Sequence, residues 1–175
     1  MLSRYRVCLI TSLLAFAAPA AHAATAPTRC TAPVYHAFDF WLGDWDTFDS
    51  DAPGKPSVAR NHVDSILDGC VLREDYDQND GHHGHHGQSF TIYDANRQLW
   101  HQSWVTNRGE LLVLEGRVQG KRIVLSGIDH AHHDAQVRAS WEPVADGVRE
   151  IALSSNDGGK SWQPMFDIVF RKHRD

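Results

Sequence analysis

Hydrophobic and polar residues alternate along most of the chain after residue 43, and the apolar residues show no helical period. Turn-forming residues separate the alternating runs, and Asp68-Gly69 is the strongest of these hairpin signals. The pattern predicts about ten β-strands. They are expected at residues 44–49, 58–67, 70–76, 88–93, 99–106, 110–118, 121–127, 136–141, 148–154 and 161–171. One short helical turn is expected before them, between Phe38 and Leu42.

Short connections between consecutive strands predict an all-β fold with an antiparallel up-and-down meander. Closing the meander into a barrel removes its two free edges, and a barrel of this size is wide enough to hold one small ligand. The alternative fold is a two-sheet sandwich. A sandwich needs at least one long crossover connection, and the sequence shows none.

The lengths of the connections predict two different ends for such a barrel. In a meander every second connection lies at the same end. The short turns near residues 68, 95, 120 and 145 therefore share one end with Trp45 at the start of the first strand. The longer loops at 50–56, 77–87 and 128–135 share the other end. We expect a closed floor beneath Trp45 and an open rim opposite it.

The first 23 residues match a secretory signal peptide. Arg4 and Arg6 precede an apolar run, and the small-residue site Ala21-His22-Ala23 follows it. The apolar run is shorter than the roughly 20 residues that span a membrane. We therefore expect cleavage near Ala23-Ala24, a secreted or periplasmic protein without membrane insertion, and one domain covering residues 24–175.

Charge and cysteine content narrow the possible partners. The chain has 17 basic and 22 acidic residues, and loss of Arg4 and Arg6 with the signal leaves a net charge near −7. This charge excludes nucleic acid as a partner, which requires a basic face. Cys30 and Cys70 remain as an even pair in an oxidising compartment, which predicts a disulfide. Two free thiols are the alternative, but no C-x-x-C spacing supports a metal or redox site.

Two histidine-rich segments are the most unusual composition in the chain. They fall on the predicted rim, and imidazole is a common ligand of Zn, Cu and Ni. A solvated, low-complexity loop is the alternative interpretation. The candidate metal ligands are His82, His83, His85, His86, His130, His132 and His133.

Strand 99–106 carries candidate ligand-binding residues. Trp100, Gln102 and Trp104 share one face, and an inward orientation would give a cavity with apolar walls and one polar group. Ordinary core packing of the same residues is the alternative.

Catalysis has weaker sequence support than ligand binding. His62 with Asp64, and His101 with Ser103, are period-two neighbours that could form acid–base pairs in an isomerase or hydrolase. No nucleophile elbow or set of oxyanion donors accompanies them. No residue is therefore assigned a catalytic role.

The segment FDFWLGDWDTF at residues 38–48 contains Gly43-Asp44-Trp45, which resembles the G-x-W motif of lipocalins and other calycins. The resemblance implies a barrel whose tryptophan plugs the narrow end. It also implies a basic residue of the last strand packed across that tryptophan, for which Arg171 is the candidate.

A second motif resembles the Asp-box of sialidases and other proteins. Residues 155–162 fit S-x-D-x-G-x-[ST]-W. The resemblance implies a structural role, in which Asp157 shapes the turn and Trp162 packs beneath it.

Taken together, the chain resembles an uncharacterised family of secreted bacterial proteins of calycin-like type. The resemblance rests on FDFWLGDWD, the cysteine after Asp68-Gly69, the segment from Tyr93 to Val105, and the segment ending in Phe166-Asp167. Ala152 departs from the family, whose members usually have an aromatic residue there. The family implies export and a barrel, but no substrate.

The leading hypothesis is a non-enzymatic exported protein that binds a small apolar or amphipathic molecule. Metal or haem binding through the histidine segments is the first alternative, and a small-molecule isomerase or hydrolase is the second.

Overall fold

Ten antiparallel strands close into a barrel in this computed structural model, which describes residues 30–52, 54–78 and 84–174. The strands follow one another in meander order, and β1 pairs with β10 to close the ring. The barrel confirms the predicted fold class, and the sandwich alternative is wrong. The strands are β1 (Gly43–Asp49), β2 (Ala59–Ile66), β3 (Val71–Gln78), β4 (His86–Asp94), β5 (Leu99–Thr106), β6 (Leu111–Gln119), β7 (Arg122–Asp129), β8 (Ala135–Val144), β9 (Gly147–Ser155) and β10 (Gln163–Lys172).

Two predicted connections are shorter than the sequence pattern suggests. His86 belongs to β4, where it pairs with Asp77 of β3, so the ladder between these strands extends into the first histidine segment. Pro143 lies within β8 rather than in the following turn, where it pairs with Val148. A proline near a strand end removes only one hydrogen-bond donor from the ladder, so the strand continues past it.

Aromatic side chains fill the end of the barrel where β1 begins. Two short 3-10 helices, Pro33–His36 and Asp39–Trp41, precede β1. Together with the two residues between them they bring Phe38 and Trp41 beneath the strands, where the two rings stack with centroids 5.3 Å apart. The fully buried side chains in this aromatic floor are Phe38, Trp41, Trp45, Trp100, Trp141 and Phe170.

The disulfide ties the segment that precedes β1, residues 30–42, to the same end of the barrel. We call this segment the lead-in. Cys30 and Cys70 are bonded, with their Cα atoms 5.1 Å apart. Cys70 lies in the tight connection between β2 and β3, which shares its end of the meander with the start of β1. The predicted disulfide and the predicted closed floor beneath Trp45 are therefore both confirmed.

Lys172, and not Arg171, packs across the floor tryptophan. The Lys172 ammonium lies 3.7 Å from the centroid of the Trp45 ring and donates a hydrogen bond to the carbonyl of Leu42. A side chain on Gly43 would collide with this ammonium, since an added Cβ atom would lie 2.1 Å from it. Arg171 stacks on Phe48 instead. The assignment of Arg171 was wrong because neighbouring residues of a strand point to opposite faces.

A double-mutant cycle should measure this contact. We expect Lys172→Met and Trp45→Leu to show a coupling energy of about 0.5 to 1 kcal/mol in urea unfolding, because a solvent-exposed ammonium over an indole contributes about that much. The matched cycle of Arg171→Met with Trp45→Leu should give a coupling near zero. Equal coupling in the two cycles would contradict the geometry.

Asp157 organises the turn between β9 and β10. Its carboxylate accepts hydrogen bonds from the backbone N–H groups of Lys160 and Ser161 and from the Ser161 hydroxyl. These bonds, led by the Ser161 hydroxyl, lower the pKa of Asp157 to about 2. The indole of Trp162 donates to the carbonyl of Gly159 and packs against the guanidinium of Arg138. These contacts match the structural role that the Asp-box resemblance implies.

Within the described ranges, no helix is both long and apolar enough to cross a membrane.

Candidate functional site

A cavity of about 420 Å³ occupies the barrel between the rim and the aromatic floor. Its depth is set by Trp141 and Phe170, which belong to both the floor and the cavity wall. Apolar residues make up much of the wall: Leu112, Leu114, Val137, Ala139, Ala152 and Ile168. Three side chains add polar groups: Glu74, Gln102 and Glu150. The volume falls within the range of small-molecule sites in proteins.

Strand β5 contributes to both the floor and the cavity. Trp100, Gln102 and Trp104 point inward, as their shared face requires. Trp100 lies in the floor, where its ring meets that of Phe38 edge to face at 5.7 Å, and it does not line the cavity. Gln102 and Trp104 do line it. The Trp104 ring lies directly against Gly87 of the neighbouring strand, where an added Cβ atom would come within 2.1 Å of the ring.

A chain of hydrogen bonds joins the polar groups on one side of the cavity. The Gln102 side-chain amide donates to the Thr91 hydroxyl at 3.1 Å and more weakly to the Ser89 hydroxyl at 3.4 Å. The Ser89 hydroxyl in turn donates to the Glu74 carboxyl at 2.8 Å. All four side chains are buried. A satisfied network of this kind holds its members in fixed orientations.

Burial raises the pKa of both glutamates. Desolvation raises the pKa of Glu74 from 4.5 to about 7, although the hydrogen bond from Ser89 opposes the rise. Desolvation also raises the pKa of Glu150, and the negative charge of Glu74 adds to that effect. The indole N–H of Trp141 opposes the rise at Glu150, yet no acceptor lies in hydrogen-bonding geometry with it. Buried carboxyls that influence each other in a cavity are typical of functional sites.

Neither glutamate was predicted from the sequence as a site residue. Glu74 lies within a run of charged residues in β3, where it resembles an ordinary exposed residue. The available signal was its period of two: Glu74 is in phase with Leu72, and Glu150 is in phase with Val148 and Ala152. A carboxylate in phase with apolar residues on a barrel strand indicates a polar group inside the barrel.

The barrel and its aromatic floor agree with the fold that the calycin resemblance implies. No family model matches the sequence, and no curated protein matches it either. The residues that line the cavity are therefore the best guide to function.

The structure separates the histidines of the first rim segment. His85 lines the cavity and its Nε2 atom is buried without a hydrogen-bond partner, whereas His86 points outward, 3.2 Å from Asp77. His82 and His83 lie outside the described residues.

The histidines of the second segment are exposed to solvent. His130 pairs with Asp134 at 2.6 Å and His132 with Asp129 at 2.8 Å, while His133 occupies the turn with a positive φ of 60°. In the part of the chain that the structure describes, no three His, Cys, Asp or Glu side chains are grouped as a metal site. Metal binding by these segments stays a prediction that depends on His82 and His83.

The proposed acid–base pairs lie on the outer face of the barrel. His62 is 2.6 Å from Asp44, and Asp64 accepts hydrogen bonds from Arg73, so the predicted pair of His62 with Asp64 is wrong. His62 and Asp64 lie on the same face of β2, but each contacts a residue of a neighbouring strand instead.

His101 does contact Ser103, as predicted. Its Nε2 atom is 2.9 Å from the Ser103 hydroxyl, and its Nδ1 atom is 2.9 Å from Glu115. The hydrogen bond to His101 lowers the pKa of Glu115. Because Gln102 points inward, His101 and Ser103 point outward. The pair of His101 with Ser103 therefore lies outside the cavity.

Proposed function

We propose that this chain is an exported, non-enzymatic binding protein that holds one small amphipathic molecule inside its barrel. The cavity carries this proposal, because its wall is largely apolar and three polar side chains, Glu74, Gln102 and Glu150, point into it. A molecule with one apolar and one polar part would match both surfaces. Such a division between wall and orienting groups is usual in small-molecule sites.

Export and a calycin-like relationship belong to the same proposal. The signal-like segment at residues 1–23 and the bond between Cys30 and Cys70 support an oxidising compartment. Trp45 at the closed end, covered by Lys172, supports the calycin-like relationship.

Filling the cavity should abolish binding. Ala152 is 2% exposed and lines the cavity, so the Ala152→Phe side chain would project into the space that a ligand occupies. We expect the protein to bind the neutral fluorophore N-phenyl-1-naphthylamine with one site per chain, and Ala152→Phe to weaken binding at least tenfold. Fluorescence titration of the untagged mature protein measures both.

Two further variants make this test specific. Leu112→Trp narrows the cavity from a half-buried position and should weaken binding even if Ala152→Phe folds poorly. Ala95→Phe, in the exposed turn between β4 and β5, should bind as the unmodified protein does. Unchanged affinity in folded Ala152→Phe and Leu112→Trp would overturn the proposal. Elemental analysis of the same sample that found stoichiometric metal would favour metal binding instead.

A further inference from the structure

Two carboxyl groups enter the cavity from well-separated walls of the barrel. Glu74 belongs to β3 and Glu150 to β9, which are four strands apart in the ring of ten. The two residues are 6% and 9% exposed, and both line the cavity. Their mutual repulsion is strong enough that the charge of Glu74 raises the pKa of Glu150.

Among the described residues that line the cavity, no Lys or Arg side chain compensates these carboxyls. His85 and Tyr76 are the other titratable lining groups apart from Asp49, which adds a third carboxyl. Asp75, on the strand of Glu74, contributes further negative potential. Buried carboxylates are costly unless paired with a cation, so the cavity is electrostatically suited to a positive group.

A buried amide lies next to Glu74. Asn61 of β2 is 2% exposed, and its Oδ1 atom has no hydrogen-bond partner. Its amide is near enough to Glu74 to oppose the rise in the pKa of that carboxyl. Buried amides are normally satisfied, so Asn61 Oδ1 offers an acceptor for a donor that the protein itself does not supply.

Aromatic rings complete a surface that attracts a positive charge. Trp104, Trp141 and Tyr76 line the same cavity as the glutamates. The face of an aromatic ring attracts a cation within about 6 Å, and the attraction is stronger away from water. Carboxyls and aromatic rings therefore surround one space, and the Asn61 amide lies beside one of the carboxyls.

We infer that the cavity selects a protonated amine attached to an apolar body. This inference rests on the proposed binding function and adds the chemical class of the ligand. The ammonium group would lie between Glu74 and Glu150. The apolar body would extend along Leu112 and Ile168 toward the rim.

Three ligands of equal chain length test this selection: octylamine, octanol and octanoate. Calorimetric titration at pH 7 should give octylamine at least tenfold higher affinity than octanol, and octanoate the lowest affinity. The double variant Glu74→Gln/Glu150→Gln should remove the preference for the amine while keeping octanol affinity within about threefold. Glu142→Gln, whose side chain pairs with Arg122 on the outer surface, should keep the preference and serves as the control.

Proton release gives a second readout that cavity shape alone cannot produce. A bound ammonium favours the charged carboxylates, so each must lose the proton that burial makes it keep. At pH 7 a carboxyl with a pKa of about 7, such as Glu74, is about half protonated, and Glu150, whose pKa burial also raises, adds to the release. Titrations in buffers of different ionisation enthalpy should show release of at least about 0.5 proton per octylamine, and none in the double variant.

The outcomes separate this inference from the proposed function. Equal or tighter binding of octanol or octanoate, a preference that survives in the double variant, or binding without proton release would overturn the amine inference. If N-phenyl-1-naphthylamine binds and octylamine does not, the amine inference fails while the binding function stands. If neither binds, both fail.

Discussion

Replacing both cysteines, in the variant Cys30→Ser/Cys70→Ser, should lower the free energy of unfolding by about 3 to 4 kcal/mol. The bond joins residues 40 apart in sequence, so its loss greatly increases the conformational freedom of the unfolded chain. The bond also holds the lead-in that places Phe38 and Trp41 beneath the barrel. Urea unfolding followed by tryptophan fluorescence measures the loss.

Reduction provides the control for this prediction. Dithiothreitol should destabilise the unmodified protein by a similar amount and leave the double variant unaffected. An unfolding midpoint that is the same with and without the bond would show that the lead-in is held by its aromatic contacts alone.

The sequence predicted the architecture because each strand has its own local signals. Alternation and turn residues placed ten strands, and the order of short and long connections placed Trp45 and the disulfide at one end. Once consecutive strands are hydrogen-bonded to one another, few ways remain for the sheet to close. The remaining errors concern single residues at strand ends, such as His86 and Pro143, where pairing with the neighbouring strand decides the boundary.

The candidate site was less predictable because it depends on contacts across the barrel. The local sequence pattern indicated that Trp100, Gln102 and Trp104 share a face. It could not show that Trp100 packs against Phe38 in the floor, whereas the other two residues line the cavity. The two glutamates come from strands far apart in sequence, and their burial follows only from the closed ring. The contact between Lys172 and Trp45 was also not predictable from local pattern. A shift of one position along β10 decides whether Lys172 or Arg171 reaches Trp45.

The stability of the protein should fall as the pH rises from 4.5 to about 7, because burial raises the pKa of Glu74 across that interval. Below pH 4.5 the carboxyl is protonated in both the folded and the unfolded chain, so it imposes no penalty. Above pH 4.5 the unfolded chain ionises while the folded chain keeps the proton, and the penalty grows until the folded carboxyl ionises too. The full penalty is about 3 kcal/mol.

The variant Glu74→Gln should isolate this penalty. Glutamine keeps an acceptor for the Ser89 hydroxyl and cannot ionise. We expect the variant to match the unmodified protein near pH 4.5 and to exceed its free energy of unfolding by about 3 kcal/mol at pH 8. The difference between the two proteins at each pH is the quantity to measure, because it cancels the contributions of groups that do not interact with Glu74. Glu142→Gln, on the outer surface, should show no such difference.

Glu150 and the ligand sharpen the interpretation of this experiment. Without the charge of Glu74, the pKa of Glu150 should also fall, which adds to the stability of Glu74→Gln at high pH. Saturating octylamine should reduce the difference between the two proteins, because a bound cation stabilises the carboxylate that burial disfavours. A difference that stays flat from pH 4.5 to pH 8 would mean that water reaches Glu74 freely, and the polar end of the proposed binding site would then be lost.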